Sequence, residues 1–575
     1  MSSTDSCDVL VIGSGAAGLA AALSAASRGQ RVILVEKNDL LGGTTAISAG
    51  WAWVPGNRQG VAQGDTREDV LTYLQALAPT AFNEQGVTAF LDAVPETIDF
   101  LEKRTMVEFV YPESAPDYQM ELPGARISGR AIMPKSVDAR VLGDRRLTIQ
   151  PYLSSYTVFG YMPEVGPDIY QFVHVNQSLS SFAYVTRKLL RTWWDTLWYR
   201  RAVLRTNGNA LITRMVRSAL DFGVDIRTGT PALRLLEEGG RVVGAELGGR
   251  RPTAIRAARG VVIAAGGFSG DRERRAAHFP HAADDHFTPT IGHDGDALRL
   301  AEQAGGALDV AVESVGSWAP VTVFRYARGG QRLFPHLRAF GLPGLIAVDR
   351  DGRRFANESW SYHDFGAAMI RHNAEHDSAF GFIVADEKAM HKYGIGYAKP
   401  WPMPRGYFYR VDYLVKAPTL RELAERIGVD PDGLEATVAE FNAGAELGVD
   451  PSFGRGSTRF HHFKGDMDHK PNPNLAPLDK APYYAVPIRM GDLGTFAGID
   501  VGPRGEVLRA GSEEPVPGLY AVGAAARSVF GGGYPGYGAN IGPALVFGYL
   551  AGRELARDPE ERWVRPADVD GEETR

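Results

Sequence analysis

Val9-Leu10-Val11-Ile12-Gly13-Ser14-Gly15-Ala16-Ala17-Gly18 is the stretch that decides the fold. Four apolar residues, too few for a helix, run into three spaced glycines. An alanine-rich segment follows to Ser27, and a second apolar run over residues 31–35 ends at Glu36. The pattern predicts strand, tight turn, helix and strand, a βαβ unit. The three glycines serve different physical ends. Gly13 permits the turn, Gly15 lets backbone approach a pyrophosphate, and Gly18 lets helix and strand pack closely. The helix start at Ala16 and Ala17 offers amide donors and a positive dipole end. Glu36, followed by Lys37, is placed to hold a ribose hydroxyl pair. The glycine spacing alone is a weak signal; strand, helix and acid in register make it a strong one.

The next loop indicates which dinucleotide. Leu40-Leu41-Gly42-Gly43-Thr44-Thr45-Ala46-Ile47-Ser48-Ala49-Gly50 is small and hydroxyl-rich, suited to lying flat along a bulky planar group. That favours the diphosphate, ribityl chain and isoalloxazine of FAD over a nicotinamide. Ala264-Ala265-Gly266-Gly267 and Gly518-Leu519-Tyr520-Ala521-Val522-Gly523 are similar to the other two FAD contacts of glutathione-reductase-like flavoproteins. Ala232, Gly542, Ala544 and Leu545 complete the candidate cofactor residues. No second GxGxxG follows a strand, so a separate NAD(P)H domain is not expected.

Composition narrows the class. The chain has 575 residues, 44% hydrophobic and 23% charged, enough for two or three domains and a large core. Its 67 glycines are about 12% of the chain against a usual ~7%, with no collagen period, so the excess belongs to specific turns. The single cysteine, Cys7, excludes a disulfide framework, a CxxC redox pair and a cysteine-rich zinc site, and no metal is expected. Lys and Arg total 62 against 68 Asp and Glu, a poor balance for nucleic acid. No apolar run reaches the ~18 residues that span a bilayer. The opening residues lack a secretory signal, so a cytoplasmic protein is expected.

Further strands are expected at residues 224–227, 241–247 (after a turn at Gly239-Gly240) and 260–265. Between Ser317 and Met490 the chain turns to prolines, aromatics and charged helices, at 419–427 and 434–441. Glycine-rich apolar sequence then returns from Gly494. The last twenty or so residues are charged and expected to fray.

With these motifs assembled, the chain resembles the fumarate reductase/succinate dehydrogenase flavoprotein superfamily, and within it the 3-ketosteroid Δ1-dehydrogenase branch. The resemblance covers most of residues 5–555, including Ile291-Gly292-His293-Asp294-Gly295-Asp296-Ala297 and Gly352-Arg353-Arg354-Phe355-Ala356-Asn357-Glu358. It implies an α/β (α+β overall) fold: a glutathione-reductase-like FAD-binding Rossmann domain, residues 1–316 and 493–575, carrying an inserted fumarate-reductase-like catalytic domain, 317–492. It also implies a set of catalytic residues. The segment 116–124 corresponds to the one bearing the first tyrosine, Tyr118. The segment 357–362 corresponds to the one bearing the base, Tyr362, and Tyr534-Pro535-Gly536-Tyr537-Gly538 to the carbonyl-binding Tyr534 and Gly538.

Desaturating a ketone needs a proton from the α-carbon and a hydride from the β-carbon. The Tyr534 hydroxyl and Gly538 amide would stabilise the enolate, Tyr362 would take the proton with help from Tyr118, and FAD N5 would accept the hydride. A tyrosine base, ordinarily near pKa ~10, predicts alkaline activity or a depressed pKa. Tyr537 departs from the family pattern: it narrows the pocket or is itself the carbonyl donor. Dicarboxylate reductases carry an arginine after the asparagine of the matching stretch, where Ile541 stands here. Loss of that bidentate clamp argues against fumarate or succinate. The covalent-flavin histidine is replaced around Thr44 and Thr45, so FAD is expected to be non-covalent.

Residues 182–205 combine apolar residues at helical spacing with six cations and one acid, Asp195. Such a helix, within 178–206, can lie on a membrane surface. The favoured reading is a helix packed on the domain or at a subunit interface. Three functions remain: desaturation of a cyclic ketone, a 3-ketosteroid first; action on a smaller cyclic ketone or the reverse enone reduction; and a non-catalytic flavin protein or electron carrier. Partners expected are an apolar ketone and an external electron acceptor such as a quinone.

Overall fold

The computed structural model describes residues 5–557 except 165, 177, 251, 282–285 and 327–328. The charged tail expected to fray lies largely outside the described residues. The first apolar run is the strand Asp5–Ile12, parallel to Val32–Val35 on one side and Thr253–Ile263 on the other. Val9 pairs with Val32 and with Gly260. A strand buried on both faces needs apolar residues at every position, which is why this run does not alternate. Asp225–Arg227 and Pro515–Ala521 extend the parallel sheet at its two ends, and Glu506–Leu508 closes one edge antiparallel.

The strand expected at 260–265 begins earlier, at Thr253, and ends at Ile263. Its first half also pairs antiparallel with Arg241–Leu247, which turns back at Gly239-Gly240 onto Ala232–Glu238. The helix Ala16–Ala26 is buried at all eleven positions. Its small side chains let the helix Ile541–Leu555 pack directly on it. A Cβ on Gly548 would stand 2.3 Å from the Ala17 carbonyl oxygen, and one on Gly552 2.3 Å from that of Ala21.

A second sheet is organised by the long strand Tyr483–Thr495. Phe380–Ala385, Val321–Arg325, Val415–Ala417, Gly316–Trp318 and His286–Phe287 all pair with it. The helices Leu420–Ile427 and Pro431–Leu447 cover one face through Leu423, Leu434 and Val438. Within this layer Glu358 is fully buried, and Arg354 bridges it (2.6 Å) and Asp450 (2.8 Å). Losing one partner of such a network costs about 3–5 kcal/mol, so Arg354 and Glu358 anchor the chain just before Tyr362.

The basic segment forms the helix Leu179–Tyr199, ending at Arg200 with φ 64°. Residues 204–205 leave it to pair with Val137–Asp138. Of the favoured expectation, a helix packed on the domain or at a subunit interface, the first half is not met: the apolar face does not pack on this chain. The helix buries Ser181, Val185, Thr192 and Asp195, while Phe182, Leu190, Trp193, Trp194, Leu197 and Trp198 are exposed. Asp195 draws the polar side inward, where it accepts from the Val203 amide (3.4 Å). No helix among the described residues is long and apolar enough to cross a membrane.

Candidate active site

A cavity of about 1250 Å³ runs from the glycine turn to a cluster of tyrosines. A site for one small ligand is usually ~300–1,000 Å³, so this volume suits a dinucleotide with a substrate beside it. At one end Gly13 has φ +110°, and a Cβ there would meet the Ala264 carbonyl oxygen at 2.3 Å. Only glycine fits this turn. The amides of Gly15 and Ala17 line the cavity and have no protein acceptor among the described residues. Unpaired donors at a helix start are what a pyrophosphate requires. Further along, the buried indole Nε1 of Trp51 and Nδ1 of His293 also lack protein partners. These open amides and ring nitrogens fit FAD.

Ala16, Glu36, Lys37, Gly43, Thr44, Thr45, Ser48, Ala49, Gly50, Ala232, Ala265, Gly266, Gly523 and Ala544 also line the cavity. Glu36 accepts from the Ser14 hydroxyl (2.6 Å) and amide (3.1 Å) and from the Asn38 amide (3.0 Å) and side chain (3.2 Å). A ribose hydroxyl would therefore share its carboxylate with Ser14 and Asn38. Lys37 pairs with Asp294 (2.5 Å) and Asp296 (2.9 Å). The hydroxyl of Thr45 accepts from Ala16 (3.2 Å) and that of Thr44 from Ile291 (2.9 Å). Gly18, Gly42, Gly542 and Leu545 stand behind the wall instead. Gly18 faces the Gly13 carbonyl, Gly42 donates to the Ser14 hydroxyl (2.9 Å), Gly542 abuts Trp53, and Leu545 is core.

At the other end the structure brings Tyr118, Tyr362, Tyr534 and Gly538 together. Tyr118 and Tyr534 stack with ring centroids 5.4 Å apart, and Tyr362 meets Tyr534 edge-on at 5.2 Å. The Tyr118 hydroxyl donates to that of Tyr362 (3.4 Å). The Tyr534 hydroxyl is in hydrogen-bond contact with those of Tyr362 and Ser317.

Their supports are polar and local. Tyr362 opens the helix Tyr362–His372, capped by Ser361, which accepts from the Asp364 amide (3.1 Å). Gln119, beside Tyr118, donates to Asp364 (2.8 Å), linking two of the tyrosine segments. The Tyr118 amide and the Tyr73 hydroxyl both donate to the Pro535 carbonyl (3.0 and 2.7 Å), tying in the third. Gly538 has φ +90°, and a Cβ would fall 2.2 Å from the Trp51 carbonyl oxygen. Its N–H faces the cavity with no acceptor among the described residues.

Burial sets the electrostatics. Tyr118 and Tyr362 are held well above the ordinary phenol range by desolvation, with neighbouring tyrosines adding to it. Burial lifts Tyr534 to about 12, opposed by the hydrogen bonds to Tyr362 and Ser317. The expected depression of the base is therefore not found: Tyr362 faces other phenols rather than a cation. The alkaline half of that expectation remains. Asp364 rises to about 6, again through burial.

Sequence reasoning missed three residues here. Ser317 contacts Tyr534, and Arg338 and Lys464 line the cavity beyond Tyr537. Tyr537 packs its ring on Tyr118 (4.9 Å), Trp51 (5.2 Å) and Phe463 (5.6 Å). They come from separate segments of the chain, so no contiguous motif could have flagged them.

Comparison with known proteins gives the family. A family model described as FAD binding domain matches residues 8–541. The chain is 67% identical over 559 residues to the 4-oxocyclohex-2-ene-1-carboxylate 5-dehydrogenase of Sinomonas cyclohexanicum, covering 96% of this chain and 94% of the relative. It is 34% identical over 575 residues to the 3-oxosteroid 1-dehydrogenase of Mycobacterium tuberculosis, covering 96% and 99%. The solved 3-ketosteroid delta1-dehydrogenase from Sterolibacterium denitrificans, in complex with 1,4-androstadiene-3,17-dione, is similar with a TM-score of 0.87 at 31% identity, covering 96% of this chain and 100% of that one.

Proposed function

We propose, from the premise that the chain belongs to the FAD binding domain family, that its substrate is a monocyclic ketone. FAD is the cofactor and desaturation of a cyclic ketone the reaction class, as the resemblance implied. The observation that carries the monocyclic reading is Tyr537. Its ring packs on Tyr118, Trp51 and Phe463 beside the ketone clamp, and in this reading it narrows the cavity there to the width of a single ring. A ring of the kind the Sinomonas cyclohexanicum relative acts on, a 4-oxocyclohexene, asks for less.

In this reading the Tyr534 hydroxyl and Gly538 amide donate to the ketone oxygen, where negative charge develops as the α-proton leaves. Tyr362 receives that proton, and Tyr118 steadies the resulting phenolate through their shared hydrogen bond. Both donors are preorganised, so they cost no reorganisation during the reaction. FAD, when bound, supplies the acceptor for the β-hydrogen and its electron pair. Desaturating a 4-oxocyclohex-2-ene gives a dienone one proton shift from a phenol. That aromatic sink favours oxidation over enone reduction.

The test is anaerobic mixing of the holoenzyme with 4-oxocyclohex-2-ene-1-carboxylate or with a 3-ketosteroid. The monocycle is expected to bleach the flavin absorbance and the steroid to leave it. Equally fast bleaching by the steroid would overturn the assignment.

We also propose that the exposed face of Leu179–Tyr199 meets an anionic lipid surface, from which an apolar quinone acceptor could be drawn. Trp193, Trp194, Leu197 and Trp198 are flanked by exposed Arg187, Arg191 and Arg200, and the one acid of the helix, Asp195, is buried. A basic, tryptophan-rich face complements lipid headgroups.

A further inference from the structure

The cavity continues past the tyrosines to a wall formed by Arg338 and Lys464. Arg338 follows the strand Gln331–Pro335, and its Nε and Nη2 donate to the backbone carbonyls of Lys464 (3.3 Å) and Gly465 (3.0 Å). These bonds pin the guanidinium while its side chain stands open to the cavity. Nη1 has no acceptor, and no carboxylate pairs with the group, among the described residues. The acid nearby, Asp466, is already engaged by Lys392 (2.6 Å) and by the Tyr393 hydroxyl (2.5 Å). Lys464 is 3% exposed, and its ammonium donates to the Trp360 carbonyl rather than to a carboxylate.

Two cations thus face one cavity with no carboxylate in ion-pair contact among the described residues; Asp466 acts on Arg338, and Asp364 on Lys464, only at longer range. Burial brings Lys464 down to about 7 with the Arg455 and Arg338 charges adding to it, whereas Arg338 keeps its side chain accessible from the cavity. Leaving a buried charge such as that of Lys464 without an ion-pair partner is costly, and a ligand anion held by both cations would relieve it. Arg338 is bonded to the end of the helix Arg459–Lys464, whose Phe463 packs on Tyr537 (5.6 Å) and Phe460 on Tyr118 (4.8 Å), which sets the guanidinium at the tyrosine end of the cavity. The glycine turn, with its own free amides, serves the phosphates at the opposite end. A planar, forked cation is the natural partner of a carboxylate.

We propose that Arg338, reinforced by Lys464, is the specificity-determining residue that binds a carboxylate on the substrate ring, across from the ketone held by Tyr534 and Gly538. Arg338 has this role only where the substrate is the monocyclic ketone proposed above. One anion site, with no second arginine at Ile541, also separates such a substrate from a dicarboxylate.

The test compares holoenzyme carrying Arg338, Arg338→Gln or Arg338→Lys, each checked for FAD content and Tm. Turnover is measured with 4-oxocyclohex-2-ene-1-carboxylate and its methyl ester, and binding with 4-hydroxybenzoate and its methyl ester through the flavin difference spectrum. Arg338→Gln is expected to lower the acid-to-ester ratio of kcat/KM and of affinity by ~10–100-fold, the range for a lost hydrogen bond to a charged group. Arg338→Lys should recover part of it. A ratio unchanged by Arg338→Gln overturns the assignment, because a purely structural role would weaken acid and ester alike. Should the wild-type enzyme oxidise neither ketone yet prefer 4-hydroxybenzoate in an Arg338-dependent way, the anion site stands and the monocyclic-ketone reading falls.

Discussion

Tyr534→Phe removes one oxygen from the centre of the site and little else. The ring is 4% exposed and keeps its stacking on Tyr118 at 5.4 Å and its edge contacts with Tyr362 at 5.2 Å and Phe496 at 5.8 Å. No partner is orphaned: Ser317 still accepts from the Asn540 side chain (3.4 Å), and Tyr362 still accepts from Tyr118 (3.4 Å). The stability cost is therefore that of one or two neutral hydrogen bonds, about 0.5–1.5 kcal/mol each. The rate cost should be larger. Removing one of two preorganised donors to a developing oxyanion costs roughly 2.7–4 kcal/mol, which is ~100–1,000-fold. Anaerobic stopped-flow, following flavin reduction at saturating 4-oxocyclohex-2-ene-1-carboxylate, reads this step directly. A Tyr534→Phe enzyme with full FAD content that reduces its flavin within ~3-fold of wild type, under 1 kcal/mol, would refute the clamp.

Because burial holds Tyr362 above the usual phenol range, its phenolate fraction should rise about tenfold per pH unit. The logarithm of kcat/KM is then expected to climb with a slope near ~1 through neutral and mildly alkaline pH; a flat profile excludes Tyr362 as base. The same burial works against the fold. Tyr118, Tyr362 and Tyr534 have raised pKa values, so the unfolded chain loses their protons first. Stability is complete below an unfolded phenol pKa of ~10 and falls as pH rises above it, by up to ~1.4 kcal/mol per unit for each tyrosine. Tm measured against pH should break downward there, and constancy would contradict it. Gly13→Ala drives a Cβ into the Ala264 carbonyl oxygen at 2.3 Å, so it should purify without FAD; a full flavin spectrum would show that the turn can yield. Flotation with phosphatidylglycerol vesicles is expected to carry the wild-type protein upward and to fail after Trp193→Ser and Trp194→Ser together, whereas wild-type protein left at the bottom removes the lipid contact.

What was legible in the chain follows from how far apart the contributing residues lie. The glycine turn is contiguous, because one tight bend must carry the backbone from Ile12 to Ala16, and its spacing identifies both strand and helix. Arg338 and Lys464 are single residues more than a hundred positions apart, and only the second sheet brings them to one wall. The base shows a different gap. Tyr362 belongs to a recognisable segment, yet its pKa direction depends on burial among Tyr118 and Tyr534, which no local pattern encodes. Helical spacing in 182–205 revealed two faces but not which one turns inward. Buried Asp195 and Thr192 reverse the usual orientation.

The join between Ala16–Ala26 and Ile541–Leu555 also governs when the molecule can be completed. The cofactor cradle needs the strand Asp5–Ile12, Gly523 and Ala544, yet more than five hundred residues are synthesised between the first and last of these. Contacts this distant in sequence form slowly. The alanine face of the first helix must wait, exposed, until Gly548 and Gly552 emerge from the ribosome. The cofactor cradle therefore closes late, because its first strand and its last helix are joined only once nearly the whole chain has been made.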